Sequence, residues 1–131
     1  MRILIDTSVW IDFFRGGASR ENALLKDCLS RRDHIFTAGV IVQETLQGIR
    51  DDSQCRSVKE YLFLFPKIDS EFSDYVNAAD VYRNLRKKGL TIDSPVDCLI
   101  AVLALRHRLS LLYKDSDFTQ ISRYYPLFIV G

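Results

Sequence analysis

The sequence predicts an α/β fold: a three-layer α/β/α arrangement around a central, mainly parallel sheet. Two patterns carry that prediction. Short apolar runs alternate with stretches of helical periodicity along the whole chain, the pattern of strand–helix–strand units whose strands pair in parallel. Several of those runs also end abruptly at residues suited to starting a helix, as in Arg2-Ile3-Leu4-Ile5-Asp6-Thr7-Ser8, where β-branched residues stop at a carboxylate and two hydroxyls.

From that first strand onward the elements follow in order. Ser8 to Phe14 reads as a short helix with Val9, Trp10, Phe13 and Phe14 on its apolar side, stopped by Gly16-Gly17. Ser19 starts a second helix to about Ser30, with Leu24, Leu25, Cys28 and Leu29 at helical spacing. His34 to Thr37 is a brief strand, Gly39 to Ile49 a helix, and Gln54 to Phe65 another helix stopped by Pro66. Lys67-Ile68-Asp69 is a short strand. Ser70 and Ser73, followed by Phe72, Tyr75, Val76, Ala79, Tyr82 and Leu85 as an apolar series, predict a long helix ended by Gly89. Ser94-Pro95-Val96-Asp97 is a sharp helix start, with Ser as cap, Pro at the first helical position and an acid three residues after the cap. The helix it opens, Cys98 to Leu105, is apolar almost all round and must be buried. Leu109 to Tyr113 is a strand running into Lys114-Asp115-Ser116-Asp117-Phe118, and Leu127 to Val130 is a final strand after Pro126.

Composition narrows the function classes. The 131 residues fit a single domain spanning 1–131, with the 47% apolar and 27% charged content of an ordinary globular protein. Eighteen basic against 17 acidic residues, a net charge of +1, exclude a global basic field as the means of holding nucleic acid. Arg86-Lys87-Lys88 and Arg106-His107-Arg108 read as solvated helix ends, without interleaved aromatics in the sequence. Cys28, Cys55 and Cys98 lack metal-ligand spacing and are odd in number, which points to free thiols in a reducing setting and away from structural zinc. No apolar run approaches the ~20 residues of a membrane span, and no signal-peptide pattern opens the chain. A cytoplasmic location with no membrane partner is expected.

Chemistry resides in the acids. Asp6 ends the first strand, Glu44 lies mid-helix among apolar neighbours, Asp97 sits in the first turn of a buried helix, and Asp115 and Asp117 follow a late strand. Each has an ordinary explanation: Asp6 as a helix cap, Glu44 as a boundary residue reaching water, Asp97 in a capping box, and Asp115 and Asp117 in an Asx turn. Together they are harder to dismiss, because strand ends and helix starts of a parallel sheet lie on one edge, where Asp6, Asp97 and the late pair converge. Carboxylates crowded there repel one another unless a cation lies between them. Mg²⁺ or Mn²⁺ suits an all-oxygen ligand set. The absence of a Gly-rich phosphate loop argues against nucleoside triphosphate use.

The ordered set Ile5-Asp6-Thr7-Ser8-Val9-Trp10-Ile11-Asp12-Phe13, Glu44, Pro95-Val96-Asp97-Cys98-Leu99-Ile100-Ala101 and Asp115-Ser116-Asp117-Phe118 resembles the PIN-domain ribonucleases, and among them the VapC-type toxins of toxin–antitoxin pairs. The resemblance covers essentially the whole chain. It implies a compact PIN-like α/β/α fold, a homodimer, a cognate antitoxin partner, and Mg²⁺- or Mn²⁺-dependent endonucleolytic cleavage of an RNA substrate. It places metal-site roles on Asp6, Glu44, Asp97 and the pair Asp115/Asp117. Tyr113-Lys114 stands where family members commonly have Thr or a similar small polar residue, and either late aspartate completes the set. Asp93 is outside the pattern and reads as a solvated loop residue. The cleavage expected is hydrolysis leaving 5′-phosphate and 3′-hydroxyl ends.

Two rival classes remain open at this stage. A receiver-like signalling domain also has an Mg²⁺-binding acidic pocket and a Lys after a late strand, as Lys114 is here, but it needs a second acid beside Asp6, where this chain has Thr7. A non-catalytic PIN-fold module that binds RNA or protein would not need every expected acid.

Overall fold

The computed structural model describes residues 1–131. Its elements in chain order are β1 (Arg2–Ile5), α1 (Thr7–Phe14), α2 (Arg20–Ser30), β2 (His34–Ala38), α3 (Gly39–Gln47), α4 (Asp52–Leu62), β3 (Lys67–Ile68), α5 (Phe72–Lys87), α6 (Pro95–Arg106), β4 (Ser110–Leu112), α7 (Ser116–Ser122) and β5 (Phe128–Ile129). The five strands form one sheet in the order β3-β2-β1-β4-β5. Every pairing is parallel, with Ile3 opposite Ile35 on one side and Ser110 on the other. No helix is long and apolar enough to cross a membrane.

The sheet is covered on both faces, and its central strand shows why. Ile3, Leu4 and Ile5 are consecutive, so their side chains alternate between faces, yet all three are 0% exposed. Around them, α1 packs on α2 and α3, and α3 on α4; α5 packs on α6, and α6 on α7. The α6 helix is buried continuously from Asp97 to Ala104, as its all-round apolar sequence requires. On α1, Trp10, Phe13 and Phe14 meet Tyr61 and Phe65 from the end of α4, with ring centroids 5.3–6.2 Å apart. Such edge and stacked contacts fix the rotation of α1 and hence the position of its first turn.

Two helices differ from the sequence reading. Of the apolar series on α5 only Leu85 is on its buried face: Phe72 is 85% exposed, and Tyr75 and Val76 also face outward. The buried side is Asp74, Ala78, Val81 and Leu85, because the Asp74 carboxylate must reach Arg106 on α6 and small Ala78 permits close helix contact. The cap is Glu71, not Ser70; its backbone N–H donates to Asp74 at 2.8 Å. The second difference is α7, a seven-residue helix where the sequence suggested a turn. Only Phe118 and Ile121 supply its apolar side, too short a pattern to read as periodic.

From β1 the chain winds outward through β2 to β3, then returns to the far side of β1 for β4 and β5. The strand order therefore reverses between β1 and β4, and the crevice beyond their carboxyl ends is the natural ligand position of such a sheet.

Candidate functional site

Asp6 stands at that crevice, one residue past the end of β1, its own N–H bonded to Leu112 O of β4 at 2.9 Å. Its two carboxylate oxygens have different surroundings. Oδ2 accepts from the Ser8 N–H at 3.1 Å and from the Ser8 hydroxyl, which makes Asp6 the cap of α1. Oδ1 is buried with no partner. The capping explanation accounts for one oxygen and leaves the other unexplained. The Ser8 hydroxyl also accepts the Lys114 N–H at 3.1 Å, so the end of β4 is tied to the same turn.

Asp97 has no capping bond to account for it. It occupies the third position of α6, after a Ser94 whose side chain makes no cap bond and a Pro95 preset for the first turn. It is 4% exposed, and its Oδ2 has no partner. It gathers with Asp115 and Asp117, one carboxylate oxygen from each of the three lying within 4.8 Å of the others. Asp115 caps α7, its Oδ1 accepting from the Asp117 N–H at 2.9 Å, so the Asx-turn explanation holds for that oxygen. Asp117 is buried with both oxygens occupied, accepting from the Asp93 N–H at 3.1 Å and the Ser94 N–H at 2.9 Å. Through these bonds the start of α7 holds the start of α6, and with it Asp97.

Glu44 approaches from α3, half-buried, its Oε1 accepting from the Thr7 hydroxyl at 2.8 Å. The two hydroxyls after Asp6 therefore each secure a carboxylate, Ser8 holding Asp6 and Thr7 holding Glu44. Sequence reasoning took Thr7 and Ser8 only as helix starters, and their position directly after Asp6 was the available signal. Lys114 does not enter the cluster; its Nζ pairs with Asp12 at 3.5 Å. The receiver-like reading, which uses such a lysine in its pocket, loses that support.

Electrostatics shows what the cluster lacks. Burial, then the charges of Asp6 and Asp115, push the Asp97 carboxyl up to about 9. Burial also raises Asp6 to about 6, against the opposing bonds from Ser8 and with a further push from Glu44. Orphaned buried oxygens on Asp6 and Asp97, in a donor set made of carboxylates, fit a hard divalent cation, because one would answer both the missing bonds and the mutual repulsion.

The family model described as "PIN domain" matches residues 3–124. The chain belongs to the PIN-domain family. It is 35% identical over 123 residues to the "VapC ribonuclease Mb1587" of Mycobacterium bovis, with 92% of each chain covered, and to the same extent to "Ribonuclease VapC11" of Mycobacterium tuberculosis. Among solved structures it is similar to VapBC-1 from nontypeable Haemophilus influenzae, with a TM-score of 0.77 at 16% identity and coverage of 100% and 98% of the two chains. VapBC2 from Rickettsia felis, bound to a promoter DNA fragment, gives 0.74 at 20% identity, covering 99% and 98%. These structures share the PIN fold with this chain, and the sheet, expected from the sequence to be mainly parallel, is parallel throughout.

Proposed function

We propose that this chain is a Mg²⁺- or Mn²⁺-dependent endoribonuclease and the toxin of a toxin–antitoxin pair. The observation that carries the reading is Asp97, buried and unpartnered beside other acids at the strand-order reversal of a PIN fold. The VapC ribonucleases that match it over most of their length support the substrate class.

Asp6, Glu44, Asp97 and Asp115 would hold the ion, which when bound supplies a nucleophilic water at neutral pH and charge stabilisation on the phosphodiester. Of the late aspartates, Asp115 keeps Oδ2 available, whereas Asp117 has both oxygens on backbone donors and serves to position Asp97. Ser8 orients Asp6, leaving Oδ1 for the site. Thr7 holds Glu44 by Oε1, and Glu44 would hold the ion or orient its water through Oε2. In-line attack would form the new P–O bond as P–O3′ breaks, the water giving up a proton to solvent and the departing 3′ oxygen taking one from solvent, which leaves 5′-phosphate and 3′-hydroxyl ends.

The working form is a cytoplasmic homodimer of single-domain chains, restrained by an antitoxin. A cationic side chain such as Arg from that partner would satisfy the same carboxylates.

The test is cleavage of total RNA by the purified, antitoxin-free protein with Mn²⁺, with EDTA, and with Asp97→Asn, with the ends mapped by sequencing. Discrete 5′-phosphate ends that require both metal and Asp97 are expected. Cleavage in EDTA giving 2′,3′-cyclic phosphate ends would overturn the mechanism, and intact RNA in every arm would overturn the activity.

A further inference from the structure

Two residues other than glycine have left-handed backbone, and both are arginines: Arg32, with φ 57°, and Arg108, with φ 54°. They occupy equivalent turns. Arg32 follows α2 and leads into β2, and Arg108 follows α6 and leads into β4. In each turn the next residue bonds back into the helix: the Asp33 N–H donates to Cys28 O at 3.0 Å and the Leu109 N–H to Ala104 O at 2.9 Å. Helices closed in this way usually have glycine at the left-handed position, because a Cβ is disfavoured there. The helix dipole does not explain the choice, since Arg31 and Arg106 meet it in right-handed geometry one and two residues earlier.

Because β2 and β4 flank β1, the two turns stand on either side of Arg2 at the amino edge of the sheet, with the starts of the flanking strands about 10 Å apart. The Arg2 guanidinium donates to His107 O at 3.0 Å and lies over the Phe36 ring, which joins it to the Arg108 turn. Of the acids around the α2 turn, Asp33 pairs with Arg31 at 3.0 Å, and Asp27 also acts on Arg31. Arg106 is turned onto Asp74 and Glu71. Arg2, Arg32 and Arg108 are exposed and pair with no carboxylate. The run Arg106-His107-Arg108, a single solvated helix end by sequence, is thus divided by the fold between two directions. The acidic centre lies at the other edge, for Arg2 and Asp6 are four residues, about 13 Å, apart along β1. An RNA held by a chain of net charge +1 whose cutting edge is acidic needs cations placed away from that edge. Guanidiniums spread over three chain segments suit successive phosphates of a polynucleotide and not one small anion.

We infer that the amino edge of the sheet is a second RNA contact, where Arg32, Arg108 and Arg2 hold backbone phosphates of a folded RNA whose cut phosphate lies at the opposite edge. The inference rests on the ribonuclease reading above. On this view the left-handed turns are kept for the guanidiniums they carry. The test replaces both arginines by the residue such turns prefer. Combined Arg32→Gly and Arg108→Gly is compared with combined Arg32→Lys and Arg108→Lys. Binding of a labelled 30-nucleotide RNA hairpin is read by anisotropy in an Asp97→Asn background, and Tm by calorimetry. The glycine pair raises Kd roughly tenfold and lowers the slope of log Kd against log salt by about 1.4–1.8, at ~0.7–0.9 per phosphate contact. It also raises Tm by roughly 3–6 °C, because the Cβ strain is gone. The lysine pair keeps the charge and the wild-type slope. With Asp97 intact, kcat on a six-nucleotide RNA spanning a mapped cut stays within about twofold in both. An unchanged slope in the glycine pair overturns the inference. So does lost binding with a lower Tm, since the arginines would then be holding the turns. Binding to phosphatidylglycerol vesicles but not to the hairpin overturns it as well and gives the edge to a membrane surface. If the hairpin is held through both arginines while no RNA is ever cut, the ribonuclease reading fails and the contact stands. Cleavage with an unaltered slope has the opposite meaning.

Discussion

Asp74 and Asp97 occupy the same position, third in the first turn, of two helices packed against each other, and both are buried. Their surroundings push them in opposite directions. Asp74 accepts from the Arg106 guanidinium through both oxygens at 2.8 Å and closes a cap with the Glu71 N–H, so its carboxyl is held below the ordinary range, chiefly by the Arg106 bonds. Asp97 finds other carboxylates and no donor for Oδ2, and is pushed up to about 9. Burial alone therefore does not decide ionisation; the partner does. The satisfied aspartate fastens α5 to α6, and the unsatisfied one keeps a buried oxygen without a partner.

The comparison can be broken most directly by neutralising each residue. Asp97→Asn is expected to lower RNA cleavage by on the order of 10³-fold, since it removes a ligand to charge stabilisation worth several kcal/mol. The same change should raise the Tm of the protein in EDTA at pH 8, because it relieves repulsion that serves function alone. Asp74→Asn should do the reverse: a Tm lower by roughly 5–10 °C from the broken buried pair, with kcat of the folded protein near wild type. Equal activity losses in both variants would dissolve the distinction.

Smaller effects should follow from residues that hold the acids. Thr7→Val keeps shape but removes the donor to Glu44, and Ser8→Ala removes the donor to Asp6. Each is expected to cost roughly 10–100-fold in Mn²⁺ affinity, read by calorimetry, with little change in Tm. Asp117→Asn sharpens the division of roles on α7. It leaves a backbone donor of the Asp93-Ser94 segment unpaired, at about 1–3 kcal/mol of stability in a denaturant titration. Asp115→Asn should cost mainly activity.

The pH dependence should differ in sign between the two aspartates. With Asp97 raised, the stability it contributes is fully present below the ordinary carboxylate range and is lost as pH climbs toward about 9. With Asp74 lowered, its contribution is present above that range and lost as pH falls through its depressed value. In EDTA, the Tm of wild type should therefore decline on the alkaline side, and Asp97→Asn or added Mn²⁺ should flatten that limb. Asp74→Asn should flatten only the acid limb.

Much of this was legible in the sequence, for identifiable reasons. Asp6, Asp97 and the pair Asp115/Asp117 could be placed on one edge because each follows a strand or starts a helix, and a parallel sheet aligns those points. Which face of α5 turns inward was not legible, since the apolar series on Tyr75 and Val76 looked like a core stripe. The Asp74–Arg106 pair that overrides it joins residues distant in sequence. That Asp117 has both oxygens on backbone donors was hidden for the same reason: it depends on where the Asp93 and Ser94 amides come to lie.

The sheet order has a consequence for the birth of the molecule. Of the five strands, β1 comes earliest in the chain and is the central one, so Ile3 waits for Ser110 before its second edge is paired. Contacts of such long separation form late and set a slow folding step. A chain interrupted before β4 lacks one wall of the acidic centre, together with Asp115 and Asp117, however well its first half has collapsed. On the ribonuclease reading, the ribosome making this protein faces no active nuclease until β4 and α7 have been added, which leaves time for a partner to be waiting.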